Sequence, residues 1–151
     1  MPINRFLNSY RLLSRWQYYL EFFLFKFCQI NAPKIIAKSH WPCYQAAELS
    51  DLSTKISSYY HNEKNFKKSG MSEKDRSLFC AELEAIRQVR NKAVHREVVS
   101  ELDLKHYADC ALSVLKSLRQ LGGRDFEEAH GKSVNSYAST ISARKVTNFC
   151  L

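Results

Sequence analysis

Glycine and proline are scarce in this chain, 4 and 3 of 151 residues. A sandwich or barrel of this length needs many tight turns built on those residues, so their scarcity points away from an all-β fold and towards helices. No two of the five cysteines (Cys28, Cys43, Cys80, Cys110 and Cys150) stand in C-x-x-C spacing. With no leader-like cleavage site near the start, they read as reduced thiols packed as small hydrophobes, in an intracellular protein of the cytoplasm or nucleus. A zinc site would have to gather distant ligands, so no metal is expected. There is no Gly-rich phosphate loop or internal repeat, and no cofactor is expected. A long uninterrupted apolar run is also missing. The aromatic stretch from Trp16 to Ile30 is broken by Glu21 and Lys26. A bilayer span needs about 20 apolar residues, so no membrane span is expected. Cys150 stands second from the end, which is the wrong place for a prenylation box.

What is abundant is positive charge and apolar surface. Lys and Arg number 23 against 15 Asp and Glu, a formal charge of +8. That excess favours an acidic partner, nucleic acid before an anionic membrane; a charge serving only solubility is the other reading, because the basic residues are spread along the chain. A hydrophobic fraction of 45% excludes a disordered composition, and the length suits one domain.

The periodicity predicts an all-α chain with four helices over residues 1–122, followed by a mobile C-terminal tail over 123–151 with room for a short helix after Ser133. The first helix covers residues 4–30 and is apolar on nearly every side from Tyr18 to Cys28, which asks for cover on most faces and points to a partner subunit beyond its own core. Asn31-Ala32-Pro33 breaks it. A second helix covers 42–60, and the polar, lysine-rich stretch 61–70 reads as a loop. Ser72 caps a third helix running to about Arg96, with Phe79, Leu83, Ile86, Ala93 and Val94 on its apolar face. Ser100 caps a fourth, which stops at Gly122-Gly123.

The third helix carries the hexapeptide Arg90-Asn91-Lys92-Ala93-Val94-His95. At about 100° per residue Arg90 falls within the apolar face, where a guanidinium needs a carboxylate, a phosphate or a wet cleft. Arg87, Asn91 and His95 form a row beside it. Arg90 and His95 stand about 140° apart on an ideal helix, so they converge only if the helix loosens near His95 or a second subunit supplies the other half. Phosphodiester cleavage by a ribose 2′-hydroxyl uses these types: an imidazole to move a proton, a guanidinium to hold the phosphate, an amide to orient it. The structural alternatives are an arginine paired with Asp103 or Asp109 and a histidine answering the helix dipole. His40, His61, His106 and His130 read as surface or loop residues.

The Arg-polar-x3-His pattern, on a helix followed by a short connection and another amphipathic helix, resembles the HEPN superfamily of helical ribonucleases and nucleotide-binding proteins. Residues 86–95 look most like the domain that ends Swt-type RNA quality-control endonucleases and like related stand-alone proteins. The resemblance covers about 50 residues, 72–121, and is only topological before them. It implies a four- to five-helix up-and-down bundle that forms a homodimer and cuts RNA without metal, with Arg90 and His95 as the catalytic pair and Asn91 as the polar accessory. Arg87, Lys92 and Arg96 are the expected RNA contacts. Many members have lost activity and serve as RNA-binding or protein-interaction modules, a role the aromatic first helix also suits. A peripheral membrane role ranks last, because an interfacial helix needs one polar face.

Overall fold

The computed structural model describes residues 3–147, with side chains from residue 7 to residue 142. Within them the chain is an all-α bundle with no strand. Helix α1 (Ile3–Asn31) is the hub, touching the helices that follow it on several sides. After a one-residue break at Ala32, Pro33 opens a new short helix, α2 (Pro33–Ser39). Proline suits a first helical position, where its missing N–H is no loss, so it starts an element where the sequence suggests only a break. A 3-10 turn (Tyr44–Ala46) leads into α3 (Leu49–His61), seven residues later than the expected start at residue 42.

The stretch expected as a loop holds helix α4 (Glu63–Ser69). Asn62 Oδ1 accepts from the N–H of Lys64 and of Asn65 at 3.1 and 3.3 Å, and Gly70 ends the helix in the left-handed region. Arg76 stacks over the Phe66 ring at 3.8 Å and ties α4 to the next helix. That helix, α5 (Glu73–Val94), starts as expected, with Ser72 Oγ accepting from Asp75 N–H at 3.1 Å. Val99 is buried in the connection to α6 (Glu101–Thr147), and Ser100 Oγ caps α6 through Asp103 N–H at 3.1 Å.

The largest departure from the sequence reading lies beyond Gly122. Residues 124–147 are helical rather than a mobile tail, joined to residues 101–122 by a break at Gly123, whose φ of 70° and ψ of −167° suit only glycine. Phe126, Val134, Tyr137 and Ile141 are buried. Spaced at 126, 134, 137 and 141, they make a helical stripe too sparse in apolar residues to stand out in sequence. Two of them meet α1: Phe126 stands 5.8 Å from Phe27 between ring centres, Tyr137 stands 3.7 Å from Tyr19, and Tyr137 Oη donates to the Arg15 carbonyl at 3.1 Å. The α1 face assigned to a partner is therefore covered largely by this chain itself. His130, expected on the surface, is half-buried between Phe22 and Phe126. Burial also holds the Cys28 thiol up at about 12. Cys28, Cys43, Cys80 and Cys110 are free thiols; Cys150, like the rest of 148–151, lies outside the described residues.

Candidate functional site

Helices α3 and α5 run antiparallel, so the end of α5 that carries the hexapeptide lies against the start of α3. On α5 the buried arc runs from Val89 through Ile86 and Ala93 to Leu83, and Val94 is exposed where the sequence reading buried it. On an ideal wheel Val94 falls about 20° past Leu83, at the solvent edge of that arc. Arg90 sits just inside the same edge, its side chain 23% exposed. Its Nη2 donates to Glu48 Oε2 at 3.1 Å. The partner is thus on the residue before α3, and not Asp103 or Asp109. Among the described residues, Nε and Nη1 of Arg90 make no hydrogen bond, so a second edge of the guanidinium keeps its donors.

A second carboxylate stands at this junction. Glu21, the charge that interrupts the aromatic stretch of α1, accepts from the first N–H of α3, that of Leu49, at 2.9 Å. Burial pushes its carboxyl up to about 7; the Leu49 and Gln17 hydrogen bonds lower it, Glu48 raises it, and Arg90 lowers it least. A carboxyl whose folded value lies above its ordinary 4.5 contributes stability below that value and loses it as pH rises through about 7. Glu21→Gln keeps an acceptor for Leu49 without the buried charge. We expect this variant to match the wild type near pH 5 and to exceed it by about 1 kcal/mol at pH 8, a figure discounted for partial exposure. Urea denaturation at the two pH values checks it; the same offset at both would contradict the assignment.

His95 is where α5 stops. Its backbone N–H still donates to Asn91 O at 3.0 Å, but Arg96 takes a left-handed φ of 52°. The N–H groups of Arg96 and Glu97 turn back to Ala93 O and Lys92 O at 3.4 and 3.1 Å, which is the Schellman arrangement. The left-handed residue follows His95, which itself keeps helical angles and so stays about 140° round the helix from Arg90, with its side chain exposed. The position after the cap usually holds glycine, and an arginine there costs about 1 kcal/mol. Arg96→Gly is therefore expected to raise stability by up to about 1 kcal/mol. Thermal melts check this; a destabilised variant would show that the turn stores no strain.

The other expected contacts are less free than the sequence implies. Arg87 is chelated by Glu84 at 2.7 and 3.0 Å, and Lys92 pairs with Glu97 at 2.5 Å across the turn. The Lys92 ammonium is raised by its hydrogen bond to Glu97, and the Glu97 carboxyl is lowered in return. Arg96 lies over the Tyr10 ring at 5.5 Å. Asn91 is half-buried one turn before His95. Glu21 and Glu48 were missed by sequence reasoning. A lone glutamate in an otherwise apolar helical stretch was the available signal for Glu21; Glu48 carried none. Comparison with known protein families, curated proteins and solved structures finds no match to this chain.

Proposed function

We propose that this chain is a HEPN-type endoribonuclease that cuts RNA without a metal ion, with Arg90, Asn91 and His95 as its working residues. The observation that supports the reading is twofold: Arg90 is tethered yet keeps free donors, and His95 is exposed at the point where α5 ends. In this reading the His95 imidazole takes the proton of a ribose 2′-hydroxyl as the 2′-oxygen bonds to phosphorus. The bond from phosphorus to the 5′-oxygen breaks, and that oxygen takes a proton from water. The products are a 2′,3′-cyclic phosphate and a 5′-hydroxyl. Arg90 offsets the charge that gathers on the phosphoryl oxygens, Asn91 orients the phosphate, and Arg96 contacts the strand.

A homodimer belongs to the proposal. Val94, Val98 and Leu102, all within seven residues of His95 in sequence, are exposed, the last at 78%. A second copy covering this apolar patch would bring His95 of one chain towards Arg90 of the other. The second reading, a binding module without catalysis, is favoured by Glu48, which already supplies Arg90 with the carboxylate a structural arginine needs. Incubating purified protein with single-stranded RNA in EDTA separates the two. Fragments ending in cyclic phosphate are expected; bound but intact RNA would leave the module.

A further inference from the structure

The lysines that look scattered in sequence come together on the face of the bundle built by α2, α3 and α4. A groove of about 850 Å³ there is lined by Lys34, Lys38, Lys55, Lys64 and Lys68, with Tyr59 in its wall. All five lysines are exposed, and Tyr59 is half-buried. No carboxylate lines the groove, and among the described residues none forms an ion pair with any of the five. Glu63, next to Lys64 in sequence, pairs instead with Arg76 at 3.5 Å. Lys55 is fixed in place, donating to Ser39 Oγ at 2.7 Å and lying over the Trp41 ring at 4.6 Å. A groove lined by five exposed positive charges suits a polyanion, whose binding is driven by release of its condensed ions.

We infer that this groove binds the phosphate backbone of a single RNA strand, at a site separate from Arg90 and His95. A concave wall carrying a tyrosine and several asparagine and serine side chains suits a strand whose bases can stack and hydrogen-bond. A membrane surface suits it less, because none of the exposed large apolar residues (Leu7, Tyr18, Leu78, Val94, Val98 and Leu102) lines it. Along α3 the groove runs from Lys55 to Asn62, and its far end lies about 20 Å from Glu48, the partner of Arg90, at about 1.5 Å per residue. A stacked strand of roughly six nucleotides spans that length at about 3.4 Å each. The groove would thus hold RNA whether or not the other site cuts it.

The test uses the full chain and a fluorescent 2′-O-methyl oligouridylate of about twelve nucleotides, which lacks the attacking hydroxyl. One variant combines Lys34→Gln, Lys38→Gln, Lys64→Gln and Lys68→Gln. A control combines Lys74→Gln, Lys116→Gln, Arg124→Gln and Lys132→Gln, also exposed. Each removes four of the +8 charges, leaving +4. The groove variant is expected to lose about tenfold or more in affinity relative to the control. Its log–log salt dependence should flatten by about 3, since each phosphate no longer neutralised lowers the slope by roughly 0.7. Equal losses in the two variants, no loss in the groove variant, or wild-type binding to phosphatidylserine vesicles but not to RNA would each overturn the inference. Groove binding without cleavage of ordinary RNA would remove the nuclease reading alone, and cleavage with equal losses in the two variants would remove the groove alone.

Discussion

Phe126→Ala is expected to destabilise the protein by about 3 to 5 kcal/mol, the cost of emptying a fully buried aromatic position. Phe126 has no exposed surface, and its ring meets Phe27 of α1 at 5.8 Å and His130 at 5.4 Å. Its own backbone leaves it room: a Cβ on Gly122 would stand 2.6 Å from the Phe126 side chain, so the absence of one lets the ring fold back over the break. A domain of this size has a total stability of about 5 to 15 kcal/mol. The loss would appear as a fall in Tm of about 10 °C. A residue in a mobile tail would move stability by no more than about 0.5 kcal/mol. Urea denaturation of the variant therefore tells whether the last helix is part of the bundle. A midpoint unchanged from wild type would detach it.

His95→Ala is expected to lower RNA cleavage by about 100- to 10,000-fold, the range for removal of a positioned proton-transfer group. The same change should leave stability within about 0.5 kcal/mol, because the side chain is exposed and the turn at Arg96 is held by backbone hydrogen bonds. That separation makes His95 a cleaner probe than Arg90. Removing the Arg90 guanidinium would strip Glu48 of its partner and Glu21 of a compensating charge, mixing folding with chemistry. Binding of uncleavable RNA by His95→Ala at wild-type affinity would assign the loss to chemistry. Loss of both together would return His95 to a binding role.

The helices that bear the hexapeptide were legible because their signals are local. Ser72 and Ser100 cap where their hydroxyls say they should, and the apolar stripe of residues 104–118 is buried at Leu104, Tyr107, Ala108, Ala111, Val114, Leu115 and Leu118. The requirement that Arg90 find a partner was also legible, since an arginine on an apolar face demands one. Which carboxylate answers was not, because Glu48 lies 42 positions away and only the α3–α5 packing brings it near. The last helix was missed for a related reason. Its apolar residues gain meaning only against the aromatic face of α1, and Gly122-Gly123 reads as a stop whether or not another helix follows. The same holds for the lysine groove, gathered from residues 34 to 68.

The most direct measurement is RNA cleavage in EDTA by wild type and His95→Ala, purified in parallel, with the ends of the fragments identified. The wild type is expected to leave 2′,3′-cyclic phosphate and 5′-hydroxyl ends, and the variant to cut at a rate at least about 100-fold lower. Equal cleavage by the two proteins, or intact RNA with both, would contradict a nuclease built on Arg90 and His95.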